Sequence, residues 1–323
     1  MAEPLNATQH LALVRALADG DWHSGADLSG AFGISRAALA KRIDALDAFG
    51  LQVTRRHGTG YRLETPLTLL DAGAIPVPAG WRLSVVPVTG STNSDLLDGD
   101  PEQDPQALLA EYQQGGRGRR GRQWVSPFAH NLMCSVAWSF ASWPRDLSCL
   151  PLAVGVCAAE ALAAQGIEDV QLKWPNDLYA QGRKLGGILL EHRGETGGAC
   201  RIVIGIGLNV RPFDAGQAPD QPWVAADQLR ETPQDRNTLA AALLQQLAGM
   251  LADYADRGFA PWRDRWAARD LTRDRVVTVT GPGEPWQGIA RGIDAQGALQ
   301  VEAEGRLKPL HSGEVSVRME APT

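Results

Sequence analysis

Apolar residues recur at helical spacing in the first 50 positions of the chain and predict three helices. The first helix carries its apolar face on Leu11, Val14 and Leu17. The second follows a serine–aspartate N-cap pair and stops at Gly33, and the third is capped by Ser35. The apolar stripe of the third helix consists of Leu39, Ile43, Leu46 and Phe49. These faces can pack together as a small helical unit.

A hairpin is predicted directly after these helices, because residues 51–63 form two short β-type runs around a turn at Gly58 and Gly60. Three helices and a hairpin define a winged helix-turn-helix, predicted for residues 1–65. Its positive charge gathers on the third helix and hairpin, where residues 36–62 hold six basic side chains against two aspartates. The predicted DNA-binding residues are Ser35, Arg36, Lys41, Arg42, Arg55 and Arg56. A protein-interaction module of the same shape remains an alternative.

A proline-containing stretch at residues 65–80 is interpreted as a linker, and a long mixed region follows it to about residue 270. The domain predicted here spans residues 66–270. Strands are predicted at residues 132–140, 186–191 and 202–210. The clearest helix is predicted at residues 238–254, with Asn237 as its candidate cap. One face of this helix is formed by Leu239, Leu243, Leu247, Met250 and Tyr254. This pattern predicts an α+β domain.

The remaining segment, residues 271–323, is predicted to be a small β-barrel. Its β-type runs are residues 276–279, 288–293, 298–302 and 315–318. Glycine and proline turns separate them. The chain is therefore predicted to be an α+β multidomain protein.

Composition narrows the class of protein. A chain of 323 residues with 44% hydrophobic and 21% charged residues is typical of a globular protein of two or three domains. The net charge of −6 excludes a uniformly basic nucleic-acid binder, so contact with DNA must be local. The chain contains neither a membrane-length apolar run nor a signal pattern, which favours the cytoplasm. Its four scattered cysteines are interpreted as reduced and buried.

The most informative stretch is an arginine-rich loop, Gly115-Gly116-Arg117-Gly118-Arg119-Arg120-Gly121-Arg122, followed by Gln123 and Trp124. Glycines let backbone N–H groups fold around an anion while guanidinium groups neutralise its charge. The loop lacks the ending of a Walker A motif. A flexible RNA-binding loop has a similar composition, but the strand predicted at residues 110–113 favours a loop that the fold holds in place.

Two further motifs carry candidate chemistry. The first is Lys173-Trp174-Pro175-Asn176-Asp177 with Lys184-Leu185-Gly186-Gly187, in which a lysine beside paired glycines can approach a phosphate or carboxylate closely. The ordinary alternative for such lysines is a surface hairpin. The second is Ser91-Thr92-Asn93, whose hydroxyl and amide groups can orient a polar ring or simply cap a helix. Protease, lipase and zinc-hydrolase motifs are lacking, and no protein metal site is predicted.

In this order, the motifs resemble the signature of biotin–protein ligases. The resemblance also covers Glu111-Tyr112-Gln113-Gln114 and Ile188-Leu189. Residues 28–42 with His57-Gly58-Thr59-Gly60-Tyr61 resemble the winged helix of the bifunctional biotin operon repressor. Residues 288–318, including Ser312-Gly313-Glu314, resemble the family's C-terminal barrel. The resemblance implies domains at 1–65, 66–270 and 271–323, the central one a mixed α/β catalytic domain resembling class II synthetases.

The resemblance implies an enzyme that converts biotin and ATP, with Mg²⁺, to biotinyl-5′-AMP. It then transfers biotin to a lysine of the biotin carboxyl carrier protein of acetyl-CoA carboxylase. Operator DNA is the second implied partner, bound by a homodimer that forms when the adenylate is bound. Three alternatives stay open: a ligase whose winged helix no longer regulates, a lipoate–protein ligase, and a repressor without ligase activity.

The family's site residues are carried over by motif position. The residues implied to bind biotin are Ser91, Thr92, Asn93, Gln113, Arg117, Gly118, Arg119, Lys184, Gly187 and Gly205. Those implied to bind ATP or the adenylate are Arg119, Arg120, Arg122, Trp124 and Asn176. Lys184, at the reacting carboxylate and α-phosphate, and Arg119, nearest the phosphate, are the implied catalytic residues.

Overall fold

The N-terminal segment consists of three short helices followed by a two-stranded hairpin. The structure is a computed structural model that describes residues 7–194, 198–213, 221–281, 283–312 and 316–319. The helices are α1 (Ala7–Leu17), α2 (Gly25–Ala31) and α3 (Arg36–Asp44), followed by a 3-10 turn at Ala45–Phe49. The hairpin pairs β1 (Val53–Arg56) with β2 (Gly60–Leu63) in antiparallel orientation. The elements predicted for this segment are all present.

Local chemistry explains where these elements begin and how they dock. The side chains of Ser24 and Ser35 accept hydrogen bonds from backbone N–H groups in the first turns of α2 and α3, as predicted. Gly60 has φ of 128°, and a Cβ there would lie 1.9 Å from the carbonyl oxygen of His23. Only glycine therefore allows the hairpin to pack this closely against the segment before α2.

A seven-stranded sheet forms the centre of the chain. In sheet order, its strands are β3 (Arg82–Thr89), β4 (Gln106–Gln113), β5 (Asn131–Phe140), β9 (Cys200–Asn209), β8 (Arg183–Gly194), β7 (Asp177–Ala180) and β6 (Gln171–Lys173). β3 and β4 are parallel, whereas the other neighbouring pairs are antiparallel. The strands predicted at residues 132–140, 186–191 and 202–210 correspond to β5, β8 and β9, and the strand predicted at residues 110–113 is the end of β4.

Helices cover both faces of this sheet. They are α4 (Thr92–Asp98), α5 (Leu150–Ala163), α6 (Arg236–Arg257) and α7 (Ala260–Ala267). Val136 belongs to the large core with α5 and α6, while its strand neighbour Ala137 belongs to a small cluster with Leu96 of α4. Because successive strand residues point to opposite faces, α4 lies on the face opposite α5 and α6.

The predicted cap of α6 is wrong. The helix begins at Arg236, and the side chain of Asp235 accepts a hydrogen bond from Asn237 N at 2.7 Å. The Asn237 side chain instead donates to the carbonyl oxygen of Leu69 at 3.0 Å. Asn237 therefore binds the segment that joins the N-terminal helices and hairpin to the central sheet, and Asp235 takes the capping role.

That joining segment is pinned to the sheet. Arg236, whose side chain is wholly buried, donates hydrogen bonds to the carbonyl oxygens of Thr68 at 2.8 Å and Asn131 at 3.1 Å. Its Nη2 atom also lies 2.6 Å from Glu111 Oε2, as an ion pair outside hydrogen-bond angles. Glu111 Oε1 accepts from the backbone N–H of Leu70. These bonds tie residues 68–70 to β4 and β5.

The prediction of a C-terminal β-barrel is also wrong. The strands are β10 (Val276–Thr280), β11 (Trp286–Ile293), β12 (Leu299–Ala303), β13 (Arg306–Leu310) and β14 (Ser316–Met319). They form one antiparallel sheet in the order β13-β12-β11-β10-β14. In the described residues β13 and β14 are unpaired edges, so the sheet stays open. β13 was not predicted, and Gly313 and Glu314 of the quoted motif lie outside the described residues.

Candidate active site

A chain of buried polar groups joins the start of α4 to β4 and β5. Thr92 and Asn93 are almost wholly buried at the first turn of α4, which Ser91 caps. Thr92 donates from its backbone N–H to Gln113 Oε1 at 2.8 Å. Ser135 Oγ lies 2.6 Å from Thr92 Oγ1 and donates to Asn93 Oδ1 at 2.6 Å. These contacts bring the predicted Ser91-Thr92-Asn93 motif together with Gln113.

Arg117 and Glu191 form an ion pair at the end of this series of hydrogen-bonded side chains. Glu191 Oε2 accepts hydrogen bonds from Asn93 Nδ2 at 2.8 Å and from Arg117 Nη2 at 3.1 Å. The same Arg117 nitrogen donates to Ser94 Oγ at 2.9 Å. The first arginine of the predicted loop is therefore fixed beside the buried polar chain.

The arginine-rich loop folds back on itself as a narrow turn. Arg117 and Gln123 form an antiparallel bridge, and Gly118 N donates to the carbonyl oxygen of Arg122 at 2.7 Å. Arg120 has φ of 58°, the left-handed conformation, at the tip. Arg120 and Arg122 are exposed, whereas Arg119 is partly buried. The fold therefore separates one inward-facing arginine from two at the surface.

Arg119 faces the Lys-Trp-Pro-Asn-Asp motif across the site. Its Nη1 atom donates to Asn176 Oδ1 at 3.3 Å, and Asn176 Nδ2 donates to the carbonyl oxygen of Ile188 at 2.6 Å. Burial lowers the pKa of Arg119, an effect that nearby Asp177 opposes and Arg120 reinforces. A partly desolvated guanidinium strengthens its interaction with any anion that replaces water beside it.

Lys184 lies next to Asp177 and the indole of Trp124. Its Nζ atom is 2.8 Å from Asp177 Oδ1 and 5.7 Å from the centre of the Trp124 ring. The Lys184 side chain is only 13% exposed. Burial, with the charge of Asp177, raises the pKa of neighbouring Tyr179 to about 12, so its phenol stays neutral. Lys184 is therefore a mostly buried cation that is paired with the Asp177 carboxylate.

Glycines of β8 and β9 form the floor of the site. A Cβ at Gly207 would lie 2.6 Å from the Trp124 indole, and one at Gly205 would lie 2.3 Å from Asn93 Oδ1. At Gly187 a Cβ would meet Trp124 only at 3.4 Å. Gly205 therefore makes room for Asn93, and Gly207, which the sequence analysis did not single out as a site residue, makes room for Trp124.

Besides Gly207 and Ser94, three residues with polar side chains in the site have no role predicted from the sequence. They are Ser135, Asp177 and Glu191. Asp177 lies inside a quoted motif and Glu191 lies two residues after one, but the sequence does not show that they contact Lys184 and Asn93. Ser135 interrupts the apolar run of β5 and is fully buried, which is the signal that could have found it.

The predicted DNA-binding residues lie on α3, at its cap and on the hairpin, in unequal surroundings; Arg42 of α3 is half-buried. Ser35 caps α3, from which Arg36 and Lys41 project into solvent. Arg55 forms an ion pair with Asp44. Arg56 lies over the ring of Trp22 at 5.0 Å. Lys41 and Arg36 are therefore the more exposed cations on α3, and Arg55 is partly neutralised.

No group of three or more metal-binding side chains occurs among the described residues. No described helix is long and apolar enough to cross a membrane.

Comparison with known proteins identifies the class of the chain. Residues 85–209 match the biotin/lipoate A/B protein ligase family, and residues 274–318 match the biotin protein ligase C-terminal domain. The chain belongs to the biotin protein ligase family, which confirms the resemblance of its motifs.

Its relatives include both regulatory and purely enzymatic members by name. The bifunctional ligase/repressor BirA of Escherichia coli (strain K12) is 42% identical over 314 residues, covering 96% of this chain and 98% of the relative. The biotin–[acetyl-CoA-carboxylase] ligase of Mycobacterium tuberculosis is 36% identical, over 79% of this chain and 97% of its own length. The Aquifex aeolicus biotin protein ligase, solved with biotin and ATP, has a TM-score of 0.64 at 26% identity and covers 74% of this chain and 99% of its own.

Proposed function

We propose that this chain activates biotin with ATP and transfers it to a lysine of the biotin carboxyl carrier protein of acetyl-CoA carboxylase. The observation that carries the proposal is the convergence of Arg117, Arg119 and Lys184 beside a buried set of hydrogen-bonding groups. Family membership supports the same reaction. The second domain match, to biotin rather than lipoate ligases, favours biotin over the lipoate alternative.

The site suits a reaction between two anions. In the first step an oxygen of the biotin carboxylate bonds to the α-phosphorus of ATP, and pyrophosphate leaves. In the second step the carrier lysine amine attacks the acyl carbon, and AMP leaves. Cations held in a partly dry site offset repulsion between carboxylate and phosphate and stabilise charge that develops at phosphorus. No side-chain nucleophile is required.

The residue roles in this proposal are those that the family motifs imply. The ureido ring of biotin is assigned to Ser91, Thr92, Asn93 and Gln113. Arg117, Gly118 and Arg119 are assigned to the loop that covers the ligand, with Gly187 and Gly205 beneath it. Lys184 is assigned to the reacting carboxylate and α-phosphate, and Asn176, Trp124, Arg120 and Arg122 to the nucleotide side. Arg119 and Lys184 are the catalytic residues in this proposal.

Magnesium would enter with the nucleotide. Mg²⁺ is usually held by one or two carboxylates together with substrate phosphates. Two described carboxylates lie beside the site cations, Glu191 next to Arg117 and Asp177 next to Lys184. Asp177 stands on the side assigned to the nucleotide, and a single carboxylate there fits an ion held mainly by phosphate oxygens. The ion would supply charge neutralisation at the phosphates.

The ligase proposal is tested by incubating the full chain with biotin, ATP, Mg²⁺ and the carrier protein. Mass spectrometry should detect biotin attached to one carrier lysine, with equimolar AMP. An equal concentration of lipoate should not be transferred. Transfer of lipoate without biotin would overturn the substrate assignment.

We also propose that the N-terminal unit is a winged helix that binds operator DNA as part of an adenylate-dependent homodimer. The exposed Arg36 and Lys41 on α3, the basic hairpin and the name of the E. coli relative support this second function. A protomer with net charge −6 has little long-range attraction for DNA, so two units should be needed for tight binding.

The repressor proposal requires two coupled measurements. Sedimentation should show a dimer only with biotinyl-adenylate, and gel shifts upstream of biotin synthesis genes should need the same ligand. A chain that stays monomeric with adenylate and binds DNA without sequence preference would be a ligase alone.

A further inference from the structure

Glu191 is the charged residue that terminates the buried polar chain, and the motif resemblance assigns it no role. Its side chain is 25% exposed and lies in β8. Its carboxylate accepts a hydrogen bond from Asn93 Nδ2 at 2.8 Å. An ionised carboxylate can only accept, and so can the Leu189 carbonyl oxygen, which lies 3.3 Å from the same Asn93 Nδ2. The Asn93 amide therefore turns its NH₂ toward these two groups, of which Glu191 is the nearer, and its Oδ1 away from them.

This orientation determines the direction of the hydrogen bonds beyond Asn93. Ser135 donates its one hydroxyl proton to Asn93 Oδ1. The short contact between the Thr92 and Ser135 hydroxyl oxygens, 2.6 Å, then requires Thr92 to donate to Ser135. Thr92 Oγ1 also donates to Gln113 Oε1 at 3.0 Å, so its one proton is shared between the short contact with Ser135 and this longer one. The Thr92 backbone N–H already serves Gln113.

The hydrogen bonds therefore run in one direction: Thr92 donates to Ser135, Ser135 donates to Asn93, and Asn93 donates to Glu191. The hydroxyl protons of these side chains are used internally, so the lone pairs of Thr92 remain for a ligand that offers N–H groups. A ureido ring offers such groups. If residue 191 were a neutral amide able to donate, only the longer contact with the Leu189 carbonyl oxygen would favour this orientation of Asn93, and the reverse direction of the hydrogen bonds would gain population.

Glu191 also holds Arg117, whose side chain is 46% exposed. The ion pair at 3.1 Å and the bond to Ser94 keep this arginine on the biotin side of the site. Since exposed ion pairs are weak, the Asn93 contact, which involves a residue only 4% exposed, is the stronger of the two.

We propose that Glu191 is a positioning residue for biotin, which acts chiefly through Asn93 by fixing the direction of the hydrogen-bond chain, while its ion pair with the exposed Arg117 contributes little. This inference rests on the proposed biotin site. It assigns Glu191 to binding and orientation of the vitamin and predicts little effect on the chemical step once biotin is bound.

The test is steady-state kinetics with varied biotin at saturating ATP and carrier. Glu191→Gln should raise KM for biotin about 5–10-fold, since a charge-assisted hydrogen bond is roughly twice as strong as a neutral one, with kcat changed less than about twofold. In a Ser135→Ala background the same substitution should change KM less than about twofold, because the chain it orients is already cut. If Glu191→Gln raises KM by the same factor in the parent and in the Ser135→Ala background, the two residues act independently and the mechanism is refuted.

Matched controls separate this inference from the biotin site itself. Asp98→Asn removes the exposed partner of Arg193, which lies two positions beyond Glu191 in β8, and should leave KM unchanged. Gln113→Ala should raise KM for biotin. If Gln113→Ala has no effect, the proposed biotin site is wrong. If it raises KM while Glu191→Gln leaves KM unchanged or lowers it, the site stands and the role of Glu191 is refuted. Melting curves show whether each variant is folded. Even if Glu191→Gln is less stable, comparing its effect on KM in the parent and in the Ser135→Ala background tests the role of Glu191.

Discussion

Replacing Arg236 with methionine should destabilise the chain strongly. The guanidinium is wholly buried and serves Glu111, Thr68 and Asn131, which belong to β4, the joining segment and β5. Removing it leaves the Glu111 carboxylate, 2% exposed, without its counter-ion. Breaking one partner of a buried pair costs about 3–5 kcal/mol. Because Leu70 N still donates to Glu111, we expect the lower end, about 3 kcal/mol.

The assay is differential scanning calorimetry of the full chain without ligand. For a domain of this size, about 3 kcal/mol corresponds to a fall in melting temperature of roughly 6–12 °C. The control is Arg257→Met, the same change in the same helix at an exposed pair with Asp253, which should shift melting by less than about 2 °C. Adding Glu111→Gln to Arg236→Met should recover part of the loss, since no unpaired charge remains.

Two results would refute this reasoning. A melting temperature of Arg236→Met within about 2 °C of the parent would mean that the pair contributes nothing net. Strictly additive losses in the double variant would mean that Glu111 and Arg236 do not stabilise each other.

The remaining predictions concern the site cations and the cysteines. Lys184→Ala should slow adenylation by about 10²–10³ in quench-flow while biotin affinity, measured by calorimetry, falls less; equal losses would make Lys184 a ground-state anchor. Arg119→Gly should weaken adenylate retention by about 1.5–3 kcal/mol, seen as faster release in stopped-flow fluorescence; an unchanged rate would remove Arg119 from the site. Burial raises the pKa of Cys134 and Cys157 to about 12, and all four cysteines are buried, so a thiol reagent at pH 8 should label none until the chain is unfolded; rapid labelling of the native chain would contradict this burial.

Most elements whose apolar residues recur at a clear helical or strand period were predictable from sequence, and elements without such a period were not. α6 shows one apolar stripe and was found, whereas α5 is buried on nearly every side and therefore lacks the polar face that marks a helix. β13 was missed because its sequence, Arg306-Leu307-Lys308-Pro309-Leu310, is basic and contains proline, which suits an edge strand. The predicted barrel failed because strand content alone does not decide whether a sheet closes.

The candidate site was predictable as a set of motifs but not as a network. Motif order located Lys184, Arg119 and Thr92, because those residues stand in contiguous signatures. The contacts of Glu191 with Asn93, 98 positions away in sequence, arise from the pairing of β8 with β9 and the packing of α4 on the sheet. Long-range contacts of this kind leave no local pattern.

The proposed ligase joins biotin to AMP before any carrier protein is present. Exchange of labelled pyrophosphate into ATP, measured without carrier, isolates that step. Exchange should require biotin, should not be supported by lipoate, and should fall by about 10²–10³ in Lys184→Ala. Exchange that lipoate supports and biotin does not, or exchange that persists undiminished in Lys184→Ala, would contradict the account.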